Sequence, residues 1–266
     1  MRSLERLLFL SMIIGLPIFI GYQLYLNYFV YTDTNPTRHD LRILARAEDG
    51  EAHAQYLMGF YRITGRQGLP VDSTAARRWF EKAAAQNHAG GLYGLGDLYR
   101  RGDGVDRDIA RAVSLFTRAA EDGSPAAMNA LGDLYRHGEG VDKDPRAALT
   151  WYRRAAAEDY APAQRNLGIM AANGEGMAQN FPAALAWYLK AAGQGDYAAL
   201  TNLGIMFEYG QSMKKEPLRA WSCYFRAALS HYEPANRRLK ALSDQLSAAQ
   251  IEEARSAFCF VDLVQE

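Results

Sequence analysis

Residues 124–159 read SPAAMNALGDLYRHGEGVDKDPRAALTWYRRAAAED, and this stretch decides the fold. Ser124 is a helix-capping residue followed by Pro125 at the first helical position, where a missing N–H costs nothing. The helix they start carries Leu131, Gly132 and Tyr135 and ends near His137, where Gly138-Glu139-Gly140 breaks it. Asp144 then caps a second helix with Pro145 at its first position, carrying Leu149, Trp151, Tyr152, Ala155 and Ala156. Gly132 lets the second helix come close, because a side chain there would hold the backbones apart. Trp151 and Tyr152 are expected to fill the space between neighbouring pairs. One such pair cannot bury its apolar stripe alone and must stack on others like it.

Working outward, the same markers recur. Glycine-containing pairs stand at Met58-Gly59, Leu95-Gly96, Leu131-Gly132, Leu167-Gly168 and Leu203-Gly204, at intervals of 37, 36, 36 and 36. Bulky pairs stand every 36 residues at Trp79-Phe80, Leu115-Phe116, Trp151-Tyr152, Trp187-Tyr188 and Cys223-Tyr224. An alanine pair follows each, from Ala83-Ala84 to Ala227-Ala228. Three markers in one register over five units define a repeat of two helices.

In residues, the third unit reads Ala127, Leu131-Gly132, Tyr135, Gly138, Gly140-Val141, Asp144, Ala148, Trp151-Tyr152 and Ala155-Ala156. This pattern resembles that of the Sel-one-like repeat (SLR) family, relatives of tetratricopeptide repeats, over about residues 50–235. The first unit departs from it, with Arg62 for the tyrosine and one extra residue near Gly65 to Gly68. The fifth departs with Gln211 and Ser212 at the loop glycine and Cys223 for tryptophan. The expected fold is all-α: a right-handed α-solenoid of about five helix-turn-helix repeats of 36 residues with helical caps, preceded by one transmembrane helix.

That transmembrane helix is expected from Leu7 to Tyr31, 25 residues without a charge. At this length a helix reaches about 37 Å, enough for a hydrocarbon core of about 30 Å. Tyr22, Tyr25, Tyr28 and Tyr31 lie where an aromatic belt would form. The stretch exceeds a signal-peptide core and no small-x-small site follows it, so an uncleaved anchor is favoured over a leader. Arg2 and Arg6 precede the span and 32–37 carries no lysine or arginine, which keeps the N-terminus cytoplasmic. The expected organisation is a cytoplasmic 1–6, an anchor 7–31, a linker 32–37, a capping helix 38–50, five repeats over 51–234 and a degenerate repeat or cap over 235–266. The expected location is a bacterial inner membrane with the repeats in the periplasm.

Other signals exclude chemistry. Lysine plus arginine equals aspartate plus glutamate, 30 against 30, without the basic excess of a nucleic-acid binder. Gly102-Asp103-Gly104, Gly138-Glu139-Gly140 and Gly174-Glu175-Gly176 recur once per unit, so they read as turns and not phosphate loops. The five histidines are scattered, no zinc or calcium motif appears, and no catalytic residue or cofactor is expected. Cys223 and Cys259, 36 residues apart, fall in equivalent slots of neighbouring units. Packed helices lie about 8–10 Å apart and a disulfide needs Cα atoms within about 7 Å, so two buried thiols are expected.

The resemblance implies that first helices line a concave groove, and that the protein is an adaptor or scaffold of an envelope process. On each first helix one face carries the residues three before, one after and four after the glycine. That face reads Tyr56, Phe60, Ile63; Tyr93, Asp97, Arg100; Asn129, Asp133, Arg136; Arg165, Ile169, Ala172; Thr201, Ile205, Glu208. It is the candidate site for a protein partner, with Tyr56, Phe60 and Tyr93 lacking an evident cover. The plain alternative is self-paired charge, Asp97 with Arg100 or Arg101 and Asp133 with Arg136 or His137, and contact of Ile169 and Ile205 with the C-terminal cap. Competing functions are regulation of a membrane sensor, a hydrolase of the cysteine-rich repeat kind, whose paired cysteines are missing here, and a structural spacer. Oligomeric state leaves no mark in the sequence.

Overall fold

A computed structural model describes residues 38–66, 69–256 and 259. The expected segments 1–6, 7–31 and 32–37, and residues 260–266 of the C-terminal cap, lie outside the described residues. Among the described residues no helix is long and apolar enough to cross a membrane. All thirteen elements described are α-helices. They fall into two compact units that meet in the chain at Asp108 and Ile109. The first holds α1 (Arg38–Glu48), α2 (Ala52–Thr64), α3 (Ser73–Ala85) and α4 (Ala89–Arg101). The second holds α5 (Ile109–Glu121), α6 (Pro125–His137), α7 (Pro145–Ala157), α8 (Ala161–Asn173), α9 (Phe181–Gly193), α10 (Tyr197–Tyr209), α11 (Pro217–Ala228), α12 (Glu233–Ser243) and α13 (Ala248–Ser256). Each unit is a stack of consecutive helix pairs, an α-solenoid segment.

Local chemistry sets the ends of these helices. The side chains of Ser124 and Asp196 accept from backbone N–H groups of Ala127 and Ala199 at the starts of α6 and α10. Asp72, Asp144 and Asn180 do the same for α3, α7 and α9. α6 ends on Gly138 at φ 73°, the left-handed conformation that glycine adopts without a Cβ clash. A backbone bond then closes every loop from first to second helix: Asp72 N–H to Arg62 O at 2.8 Å, Asp108 to Tyr99 at 2.9 Å, Asp144 to Tyr135 at 2.8 Å, Asn180 to Ala171 at 2.8 Å and Glu216 to Phe207 at 3.0 Å. The same bond forms in the first and fifth repeats, whose sequences depart from the pattern. In the fifth, Ser212 holds φ 69°, the backbone that Gly140 holds at 71° and Gly176 at 69°. A serine there carries strain of order 1–3 kcal/mol that the rest of the loop sustains.

Packing between paired helices rests on the second member of each bulky pair. Tyr152, Tyr188 and Tyr224 are 0%, 4% and 0% exposed, while Trp151 and Trp187 are only half-buried. Trp151 is thus less buried than Tyr152, which alone of the two fills the space inside its own helix pair. Successive residues on a helix point about 100° apart, so only one of the two can face the first helix. That one is Tyr152: a Cβ on Gly132 would sit 2.5 Å from its ring, and the same holds for Gly168 with Tyr188 and Gly204 with Tyr224. In the first unit Phe80 meets Gly59 in the same way, also at 2.5 Å. The tryptophans lie at the margin under cations, with the Arg154 guanidinium 4.5 Å from the Trp151 ring centroid and the Lys190 ammonium 4.9 Å from that of Trp187.

The ends are closed differently. Ile43, Leu44 and Ala47 of α1 pack with Ala54, Met58 and Leu69. At the other end α12 and α13 pack on α11. Trp221 is buried there, stacked on Phe225 with centroids 5.1 Å apart and donating from Nε1 to Ser243 Oγ at 2.7 Å. Cys223 and Cys259 form a disulfide with Cα atoms 5.0 Å apart, which overturns the expectation of two free thiols. The spacing argument put Cys259 on a helix in register with Cys223. However, α13 ends at Ser256, so Cys259 lies beyond the helix in irregular chain that can approach α11 directly. A cross-link closing a loop of this size contributes about 2–4 kcal/mol by restricting the unfolded chain.

The inward ring, not the tryptophan, should carry stability. Tyr152→Ala is expected to cost about 3–5 kcal/mol in urea unfolding of the full chain. Trp151→Ala, losing half-buried area and one cation–π contact, should cost no more than about 2 kcal/mol. Equal losses would mean that both rings share the interior.

Candidate partner-binding face

Two sets of first-helix residues make up the candidate site, one in each unit. In the first unit the aromatic residues are covered by their own neighbours. Tyr56 stacks on His88 at 5.3 Å between centroids and lies 6.2 Å from Phe80 and 6.4 Å from Phe60. Arg66 sits 5.3 Å over the Phe60 ring. His53 Nδ1 and His88 Nε2 are 3.4 Å apart, and His88 Nδ1 accepts from Gly91 N–H at 3.2 Å. Partial burial, with His53 alongside, lowers the pKa of His88. Tyr56 and Phe60 thus have the cover that the sequence did not reveal, and Tyr93 is half-buried. Asp97 is also satisfied locally, paired with Arg100 at 2.8 Å and Arg101 at 2.9 Å. The self-paired reading holds there.

In the second unit the pairing differs from that reading. The Tyr152 hydroxyl, carried from α7 past Gly132, donates to Asp133 Oδ1 at 2.6 Å. Asn166 on α8 donates to Asn129 Oδ1 at 3.0 Å and to Asp133 at 3.3 Å, and Asn129 donates to Asp133 at 3.2 Å. Arg136 reaches across to the next repeat's loop and forms a two-pronged pair with Glu175, at 2.6 and 2.9 Å, while Asn173 holds the same carboxylate at 2.8 Å. Glu175 hydrogen-bonds Arg136, so the carboxyl pKa falls below its ordinary value and that of the guanidinium rises. Burial, then Asp133, raises the Tyr152 hydroxyl far above the usual range, so it stays a donor.

The rest of the expected face splits. Arg165 turns to Asp196 at 2.9 Å and Thr201 is buried with its hydroxyl on Tyr197 O. Glu208 accepts from Tyr224 at 2.6 Å and pairs with Arg238 at 3.4 Å. Ile169, Ala172 and Ile205 line a cavity of about 390 Å³ between α8, α9 and α10, with Tyr188 and Asn202. No described residue of α12 or α13 lines this cavity; residues 257–258 and 260–266 of the expected cap lie outside the described residues. Among the described residues no group of three His, Cys, Asp or Glu side chains could hold a metal ion.

Sequence reasoning missed Asn166, Asn202, Glu175, Arg238 and the tyrosine hydroxyls. Asn166 and Asn202 share one position, two before the glycine, and that was a usable signal. Glu175 was read only as a turn residue, and its reach to Arg136 depends on how repeats stack.

A stack of paired helices with glycine–aromatic contacts at a 36-residue period defines a helical repeat protein of the tetratricopeptide-like class. The Sel1 repeat model matches residues 52–88, 89–124, 125–160, 161–196 and 198–232, and the chain belongs to that family. A solved Sel1 repeat protein from Oxalobacter formigenes is 28% identical, with a TM-score of 0.67, covering 79% of this chain and 89% of that one. A protective antigen of uropathogenic Escherichia coli with an SLR fold is 32% identical, with a TM-score of 0.63, over 75% of this chain and 43% of that one. A curated relative, the ERAD-associated E3 ubiquitin-protein ligase component HRD3A of Arabidopsis thaliana, is 38% identical over 66 residues. That match spans 24% of this chain and 10% of the plant protein.

The Glu175 pair gives a pH signature. A carboxyl whose pKa is lowered by folding stabilises fully above its unfolded value of about 4.5, and that contribution is lost as pH falls through its lowered folded value. Urea stability of the full chain should therefore fall more steeply below about pH 5 than that of Glu175→Gln. Identical pH slopes would show that the pair does not form in solution.

Proposed function

We propose that this chain is a membrane-anchored scaffold that binds a protein partner through the first-helix face of its second unit and catalyses no reaction. Sel1 repeat proteins generally serve in protein–protein interaction. The observation that carries the choice of face is the change along it. Asn129, Asp133 and Arg136 are tied into a rigid polar network, and beside them Ile169 and Ile205 border an open cavity. Rigid polar groups next to an apolar recess suit recognition of a preformed segment. The first unit, with its aromatic rings and Asp97 satisfied internally, is the weaker candidate.

The anchoring reading rests on the uncharged stretch 7–31 and the preceding Arg2 and Arg6. The Cys223–Cys259 disulfide supports an oxidising compartment for the repeats, such as the periplasm of a bacterium. An envelope-associated complex follows as the setting.

Photo-crosslinking residues placed at Asn202 and Tyr209 should capture one defined partner in cells, and placed at Arg153 and Lys190 on second helices should not. Capture only from Arg153 or Lys190 would move the site to the opposite face. In the same cells the chain should stay in the membrane pellet after alkaline washing, with both cysteines unreactive to maleimide until reduced. Release by alkali or free thiols would refute the anchor or the compartment.

A further inference from the structure

The cavity lies where one repeat step lacks the charged side chains that fill the corresponding space one repeat earlier. There, Asp133 accepts from the Tyr152 hydroxyl, Asn166 bonds Asn129 and Asp133, and Arg136 pairs with Glu175. Moving 36 residues on, Asp133 becomes Ile169, Arg136 becomes Ala172 and Glu175 becomes Gln211. Asn129 becomes Arg165, which turns away to Asp196. The two remaining members, Tyr188 and Asn202, keep their positions and lose their partners. Among the described residues neither the Tyr188 hydroxyl nor the Asn202 amide has a hydrogen-bond partner, although Tyr188 is 4% exposed. Its counterparts Tyr152 and Tyr224 both donate to a carboxylate at 2.6 Å. The Tyr188 ring is buried but its hydroxyl is not sealed from the cavity that Tyr188 lines, so the oxygen is left accessible to a ligand group there. Ile169, Ala172, Gln211, Tyr188 and Asn202 all line the same cavity of about 390 Å³, within the size range of ligand pockets.

We infer that this cavity receives an apolar side chain of an extended, uncharged peptide segment of the partner, whose main chain is held by Tyr188, Asn202 and Gln211. This rests on the interaction reading above and names its ligand. The lining residues carry no formal charge, which argues against an anionic or cationic ligand. Ile169, Ala172, Ile205 and Met206 offer an apolar wall for a side chain. Carboxamides present both donor and acceptor, as a peptide bond does, and a phenol adds one donor. Asn173 and Gln179 at the rim are exposed, so a chain can enter and leave along α8 and α10.

The test uses the full chain in detergent with 13C-methyl-labelled methionine, since Met206 lines the cavity. The probe is N-acetyl-leucine amide, with N-acetyl-glycine amide and N-acetyl-aspartate amide as controls. Saturable movement of the Met206 methyl resonance by the leucine probe alone is the expected result. Tyr188→Phe should weaken it about three- to ten-fold, the loss of one hydrogen bond. Ile169→Asp copies Asp133, restores an acceptor for Tyr188 and should abolish the response while the thermal transition is kept. No movement of Met206, or movement unaltered by Ile169→Asp, would overturn the inference. So would a response seen only after truncation beyond Cys259, because the chain's own C-terminal residues would then be the occupant. A partner still crosslinked from Asn202 without any response to the leucine probe would sink this inference and leave the scaffold reading standing.

Discussion

The contact of an aromatic ring with a glycine on the facing helix is what the remainder of the structure depends on. A Cβ at Gly132, Gly168 or Gly204 would sit 2.5 Å from the ring of Tyr152, Tyr188 or Tyr224. Native cores do not relax around such an overlap without shifting backbone, so any larger residue would push the two helices of a pair apart. The contact buries the ring and also carries its hydroxyl through the helix pair. That hydroxyl emerges among the residues one and four after the glycine, on the first-helix face. Packing and surface chemistry are thus joined in one side chain.

This joint role explains the diversity of the face. A nearly buried phenol needs an acceptor, and the second unit supplies one in two ways, Asp133 for Tyr152 and Glu208 for Tyr224. The Arg136–Glu175 and Glu208–Arg238 pairs extend each acceptor site to the following helix or loop. These side chains are partly exposed, so the pairs serve more to fix geometry than to add stability. Between them Ile169 and Ala172 leave the Tyr188 hydroxyl unpaired and the space open. A repeat protein can differ in one step without losing its fold, because each pair needs only its neighbours.

The ends obey different constraints. At the N-terminal end α1 supplies Ile43, Leu44 and Ala47 to a small core with Met58. At the C-terminal end the Cys223–Cys259 bond ties irregular chain to α11 where three other repeats place a half-buried tryptophan, and Trp221 is buried under Ser243 instead. A cap short of helix obtains from a covalent link what inner repeats obtain from stacking.

Helix starts, turns and the 36-residue period were legible in the sequence because their causes are local: Asp144 before Pro145, Gly138 after His137, and markers repeating in register. The family came from the resemblance of the repeated residues to a known pattern, while the helical repeat fold and the positions lying on each first-helix face follow from that periodicity. Which member of Trp151-Tyr152 turns inward did not, because both are large and apolar and only the direction of the facing helix separates them. The partners of Asp133, Arg136 and Arg165 were equally hidden: i to i+3 spacing suggested pairs within one helix, whereas Glu175, Asn166 and Asp196 come from loops and helices roughly one repeat away. The disulfide was misjudged because helical register was carried past Ser256, where the helix stops. Local propensity acts over a turn or two of chain, while polar pairing and cavities are decided where distant segments meet, and only the tertiary structure brings those segments together.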